Sequence, residues 1–147
     1  MGEYYGRYDN VLDSKGRINM PARFRDMAEA SGDGETFILT RGSERCVVLF
    51  PVNEWRRKIR EIERQVTDGK ERRKLLRHLN FYVSHQKVDK QGRINIPADL
   101  IEYAGLKKDV VVLGTGRKIE VWNPEFLEKD VEELSESYPE LTDVLDF

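Results

Sequence analysis

From Tyr4 to Leu12 the chain is rich in aromatic and β-favouring residues, and after Asp13-Ser14-Lys15-Gly16 the stretch Arg17-Ile18-Asn19-Met20 resumes an apolar/polar alternation. That pattern predicts two strands joined by a tight turn, a β-hairpin. Gly16 can adopt the positive φ such a turn needs, and the Asp13 carboxylate can accept hydrogen bonds from the turn backbone. Pro21 suits a first helical turn, where its missing N–H is no loss. Phe24, Met27 and Ala28 then share one helical face, and the helix is expected to end near Ser31-Gly32-Asp33-Gly34. Apolar strands over Thr36 to Thr40 and Cys46 to Phe50 follow, separated by the turn-prone Arg41 to Arg45.

The same order is then written again. Asp13-Ser14-Lys15-Gly16-Arg17-Ile18-Asn19-Met20-Pro21-Ala22 recurs as Asp89-Lys90-Gln91-Gly92-Arg93-Ile94-Asn95-Ile96-Pro97-Ala98, offset by 76 residues. Around this second copy lie a strand from Tyr82 to Val88, a helix from Pro97 with Leu100, Ile101 and Ala104 inward and Gly105 as its C-cap, and strands over Asp109 to Leu113 and Lys118 to Trp122. Gly114-Thr115-Gly116 should turn between those last two strands. A unit that cannot bury its apolar face alone is expected to pack against its duplicate.

Between the copies, Trp55, Ile59, Ile62 and Val66 fall at helical spacing, as do Leu75, Leu76, Leu79 and Tyr82 after a break at Asp68-Gly69, predicting a helical hairpin. Phe126, Leu127, Val131 and Leu134 predict a C-terminal helix ending near Tyr138, with a frayed acidic remainder.

Composition changes this picture only through its distribution. With 147 residues and a net charge of −2, the chain has the size of one domain and no overall excess of cations. Residues 53–80, however, carry ten basic side chains against five acidic ones, and residues 124–147 carry nine acidic ones against Lys129. The acidic segment hides basic surface from the average. The single cysteine, Cys46, lies in an apolar run and reads as a buried hydrophobe, which suits a reducing cytoplasm. Neither a membrane span nor a signal peptide is visible.

The strongest candidate for chemistry is the repeated D-x-x-G-R turn, which sets a guanidinium from each copy on a hairpin shaped by Asp13 and Gly16 and by Asp89 and Gly92. Arginine is the side chain best suited to bidentate contact with a guanine edge or a phosphate. A bare turn of this kind is commonly only a stable hairpin; here the duplication extends through the whole unit. The alternating charges of the basic helices, as in Arg60-Glu61-Ile62-Glu63-Arg64, look more like a solvated face or a subunit contact. Enzymatic readings find no support. His78, His85 and Cys46 have no ligand or nucleophile–base spacing, and no carboxylate pair stands out, so neither metal, cofactor nor small-molecule substrate is expected.

The phrase Leu12-Asp13-Ser14-Lys15-Gly16-Arg17-Ile18 with Pro21-Ala22-Arg23-Phe24-Arg25 after it, its second copy, and Phe50-Pro51 followed by Glu54-Trp55 resemble the MraZ family. The resemblance covers nearly the whole chain. It implies an α+β protomer of two SpoVT-AbrB-like swapped-hairpin repeats, residues 5–54 and 81–125, packed as a pseudo-two-fold barrel. Residues 55–80 would be the helical linker and 126–147 the acidic helix and tail. It further implies a cytoplasmic, nucleoid-associated transcriptional regulator that forms a homo-oligomeric ring and binds direct repeats in double-stranded promoter DNA of a cell-division and cell-wall gene cluster. Carried over, Arg17 would reach the DNA and Lys15 a phosphate, with Lys90 and Arg93 in the second turn, where Gln91 takes the lysine position. The family's early arginine falls, displaced, on Arg7. Lys15 with Arg23 and Arg25 favours the first copy as the DNA-facing one. The rival reading is a ring-forming scaffold without direct DNA readout.

Overall fold

The computed structural model describes residues 3–30, 32 and 34–147. Ser31 and Asp33, in the expected helix-to-strand turn, lie outside them. The first repeat supplies β1 (Tyr4–Val11), β2 (Arg17–Asn19), α1 (Ala22–Ala30), β3 (Thr36–Arg41) and β4 (Val47–Pro51). After α2 (Val52–Gln65) and α3 (Gly69–Phe81), the second supplies β5 (Ser84–Lys87), β6 (Arg93–Asn95), α4 (Ala98–Ala104), β7 (Asp109–Gly116) and β8 (Ile119–Trp122). α5 (Pro124–Ser137) and α6 (Pro139–Thr142) end the chain.

The architecture is α+β with antiparallel sheets, and its pairing is an exchange between repeats. Six strands run in the order β1-β7-β8-β4-β3-β5, while β2 and β6 form a separate two-stranded ribbon. β1 thus lies on β7, β5 on β3, and β2 on β6, so each repeat gives its first two strands to the other. This corrects the expected local hairpin, because β1 and β2 share no ladder. The turn between them satisfies its own backbone groups, Asp13 N–H donating to Arg17 C=O at 2.9 Å and Gly16 N–H to Asp13 C=O at 3.1 Å. Beyond the turn the bonds cross over, from Ile96 N–H to Gly16 C=O at 2.7 Å and from Met20 N–H to Gly92 C=O at 2.8 Å.

The expected barrel is also corrected. Among the described residues the large sheet is open, ending at β1 and β5, and the ribbon is too short at three residues per strand to close it. The main core fills the space between ribbon and sheet, with Ile18, Ile94, Phe24, Leu100, Phe37, Leu49, Val112 and Val121 all buried. Tyr4 and Tyr8 meet Phe24 edge-on, with ring centroids 5.3 and 5.1 Å apart, which seats α1 on β1.

On the other face of the sheet Cys46, Val48, Val111 and Trp122 pack beneath Leu127 of α5. That helix is capped by Asn123, whose side-chain oxygen accepts from Glu125 N–H at 2.9 Å while its amide donates to Gly105 C=O at 2.9 Å. Burial pushes the Cys46 thiol up to about 12. At neutral pH the native chain is therefore expected to react with iodoacetamide only as fast as the structure opens, a rate that mass spectrometry measures. Labelling at the speed of a free cysteine would contradict this packing.

Three further elements differ from the sequence pattern. β7 continues through Gly114 to Gly116, because a Cβ at Gly114 would lie 2.6–2.7 Å from the backbone of Tyr4 and Tyr5, and only glycine lets β1 approach. α2 and α3 are both present but do not pack along their lengths as a hairpin. Arg72 ties their junction by donating from Nε to Val66 C=O and from Nη2 to Glu63 C=O, both at 3.0 Å, and neither helix has a buried residue. The acidic end is not simply frayed, since Pro139 opens α6 instead of terminating helical structure.

Candidate nucleic-acid interface

The two turns are the same object built twice. Asp13 Oδ1 accepts from Lys15 N–H and Arg17 N–H, each at 2.9 Å, and Oδ2 accepts from Arg17 Nε at 2.9 Å. Asp89 repeats this with Gln91 N–H and Arg93 N–H at 2.9 Å and Arg93 Nε at 3.1 Å. Gly16 and Gly92 close the turns at φ +81° and +80°, a region that side-chain-bearing residues rarely enter. One carboxylate therefore fixes both the turn backbone and the arginine, leaving each guanidinium's two Nη groups outside that bond.

Those bonds also set the acidity of the carboxyls. The Arg17 backbone N–H, together with the Arg17 side chain and Lys15 N–H, holds Asp13 below its ordinary 3.8, and the Arg93 and Gln91 N–H groups do the same for Asp89. A carboxyl whose value in the folded chain is lowered contributes stability fully above its unfolded value and loses it as pH falls through the folded one. Both turns are thus expected intact at neutral pH and to loosen only below 3.8, read as a shift of the Lys15, Arg17, Gln91 and Arg93 amide resonances to random-coil positions. A midpoint at or above 3.8 would contradict the bonding described.

The ribbon sets the side chains beyond the turns. In β2 and β6 Ile18 and Ile94 pair with each other and point into the core, 1% and 0% exposed. Alternation then puts Arg17, Asn19, Arg93 and Asn95 on the outer face, with Arg17 opposite Asn95 and Asn19 opposite Arg93. Asn19 and Asn95 are exposed, and Arg17 and Arg93 are half-buried against their carboxylates. Lys15, Lys90 and Gln91 are exposed at the two turns, which lie at opposite ends of the ribbon. The asparagines share this outer face with the arginines, a placement that motif reading did not single out; the period-2 alternation of Arg-Ile-Asn was the signal present in the chain.

Arg7 is not brought to this surface. It lies on β1 beside Leu113, bonded from Nη2 to Asp9 Oδ1 at 3.1 Å, on the face of the sheet covered by α5. Arg25 is also displaced from its expected place. Through the strand exchange it packs on the second turn, so it does not mark the first copy as the basic one. The basic side chains of α2 and α3 lie outside the ribbon. Among the described residues no group of histidine, cysteine and carboxylates could hold a metal ion, and no helix is long and apolar enough to cross a membrane.

The fold is thus an α+β duplication whose halves exchange their first two strands, with an arginine held by its own turn aspartate in each half. The profile of the MraZ protein family matches residues 4–77 and again 83–144, one match on each half. Relatives called transcriptional regulator MraZ include that of Natranaerobius thermophilus, 34% identical over 148 residues and covering 98% of both chains. That of Heliobacterium modesticaldum is 36% identical over 142 residues, covering 97% of this chain and 96% of its own. The Bifidobacterium longum relative is 38% identical over 138 residues, covering 94% and 89%. This chain belongs to the MraZ family of transcriptional regulators, which are not enzymes.

Proposed function

We propose that the chain regulates transcription by binding double-stranded DNA through the outer face of the β2–β6 ribbon. The observation that carries this is the outward quartet of Arg17, Asn19, Arg93 and Asn95 on two antiparallel strands. A two-stranded ribbon fits the major groove, about 12 Å wide, where arginine pairs with guanine and asparagine with adenine. Lys15 and Lys90 flank the quartet at the turns and take backbone phosphates, fixing register.

One protomer brings few cations, so we place it in a homo-oligomeric ring that meets direct repeats in promoter DNA of the cell-division and cell-wall cluster, in the cytoplasm at the nucleoid. Avidity across several repeats then adds roughly 10²–10⁴ in affinity. Supporting the assembly, Val131, Leu134, Tyr138, Leu141, Val144 and Leu145 are exposed along α5, α6 and the residues after them. That apolar and acidic surface has a charge complement in α2–α3, and a head-to-tail contact of unlike surfaces builds a ring where its rotation closes.

The test is selection of binding duplexes from a random-sequence library by the intact protein. Enrichment of a short motif recurring as direct repeats is expected. Failure to enrich any sequence, with the protein still oligomeric, would favour the scaffold reading.

A further inference from the structure

We infer that Arg25, carried by the first repeat, gives the second turn a contact to a DNA-backbone phosphate beside that of Lys90, making up for Gln91 at the position Lys15 holds in the first turn; this rests on the DNA-binding reading above. The strand exchange is what takes it there. Because β2 pairs with β6, the helix that follows β2 lies over the other repeat's turn. A Cβ built on Gly92 would lie 3.0 Å from Arg25 Cζ, 3.1 Å from Nη1 and 3.2 Å from Nε. Near-equal distances to three atoms of the planar group mean that the guanidinium lies face-on over the glycine.

The equivalent position in the second repeat, 76 residues on, is Ile101, and its Cδ1 lies 3.3 Å from a Cβ built on Gly16. An aliphatic side chain is therefore enough to cover such a turn, so packing alone does not call for a cation at Arg25. Cation placement is reciprocal. The first turn has Lys15 at its tip beneath an isoleucine cover, and the second has Gln91 at its tip beneath an arginine cover. Each turn thus keeps one cation from this pair of positions, by opposite routes.

A second observation points to an anionic ligand. Arg25 Nε is a buried donor with no hydrogen-bond partner, and among the described residues Arg25 has no ion pair. A donor on a charged group left unpaired in this way calls for an acceptor. Arg25 as a whole is only half-buried, so a phosphate oxygen beside the second turn would accept from its Nη groups, and from Nε only once the side chain turns outward from Gly92. Lys90 and the Nη groups of Arg93 lie on the same turn.

The experiment uses a duplex selected by the wild-type protein and follows fluorescence anisotropy across a salt series. Arg25→Ile, which copies the Ile101 cover, is expected to lower the magnitude of the slope of log Kobs against log salt by about 1 per engaged protomer without changing the order of preferred sequences. Arg25→Lys is expected to hold the slope, and Arg25→Gln serves if the isoleucine variant does not fold. A wild-type slope in Arg25→Ile or Arg25→Gln, while Arg17→Ala weakens binding, overturns the role of Arg25 and leaves the DNA reading standing. Absence of any duplex binding by wild type overturns both. Inorganic phosphate is titrated separately against the Arg25 Nε–H resonance. A shift there with no slope change in the variants would assign the position to a free anion instead of DNA.

Discussion

Alanine at Ile94 is expected to destabilise the chain by about 2–5 kcal/mol, measured as a fall in the urea midpoint with the slope of the transition unchanged. Ile94 is fully buried and pairs with Ile18 at the centre of a ribbon only three residues long. Among the described residues no third strand pairs with β2 or β6, and only the flanking bonds from Ile96 to Gly16 and from Met20 to Gly92 extend their ladder. The loss should therefore exceed that of an isoleucine in the middle of the six-stranded sheet, where flanking strands hold the register. Ile94→Val, which keeps the branched side chain, is expected to cost about 0.5–1.5 kcal/mol. Equal effects from the two substitutions would mean that the ribbon does not depend on this pair.

The second large effect falls on binding. Arg17→Ala is expected to weaken binding of the selected duplex by about 1–3 kcal/mol for each base pairing it removes, roughly 5- to 150-fold, compounded where several protomers bind together. The arginine is held in place before DNA arrives by its bond from Nε to Asp13 Oδ2 at 2.9 Å, so little side-chain freedom remains to be given up on binding. Arg17→Lys should recover little, because an ammonium on a flexible stem replaces neither the fork nor the carboxylate bond. Arg93→Ala should act in the same direction, as its bond to Asp89 is 3.1 Å. Unchanged affinity in Arg17→Ala would remove the first turn from the interface.

The duplication, the helices and the turns were legible in the chain because each is a local matter. Asp13 and Gly16 announce a turn, Pro21 a helix start, and Gly105 a left-handed cap, found at φ +61°. Pairing was not legible. Alternation says which face of a strand is buried but not which strand lies beside it, so Tyr4–Val11 looked like the partner of Arg17–Asn19 when its partner is β7. The positions of Arg25 and of the asparagines follow from that pairing. Arg25 follows the first turn by eight residues and so looked like its neighbour, yet the exchange carries it to Gly92. Arg7 shares a strand with core residues but points to the opposite face. Asn19 and Asn95 fall beside the two arginines only because β2 and β6 share one outer face. The close approach of β1 at Gly114 belongs to the same group, since a glycine beside Thr115 and Gly116 reads as a turn until the strand packed against it is known.

The central claim is that DNA meets the ribbon and its turns, not the more basic helices α2 and α3. Lysine acetylation footprinting of the wild-type protein, with and without the selected duplex, separates the two surfaces, because Lys15, Lys90, Lys58, Lys70 and Lys74 are all exposed. Duplex is expected to protect Lys15 and Lys90 while leaving Lys58, Lys70 and Lys74 at whatever reactivity each has in the duplex-free assembly. Protection of Lys58, Lys70 and Lys74 with Lys15 and Lys90 still reactive would contradict it.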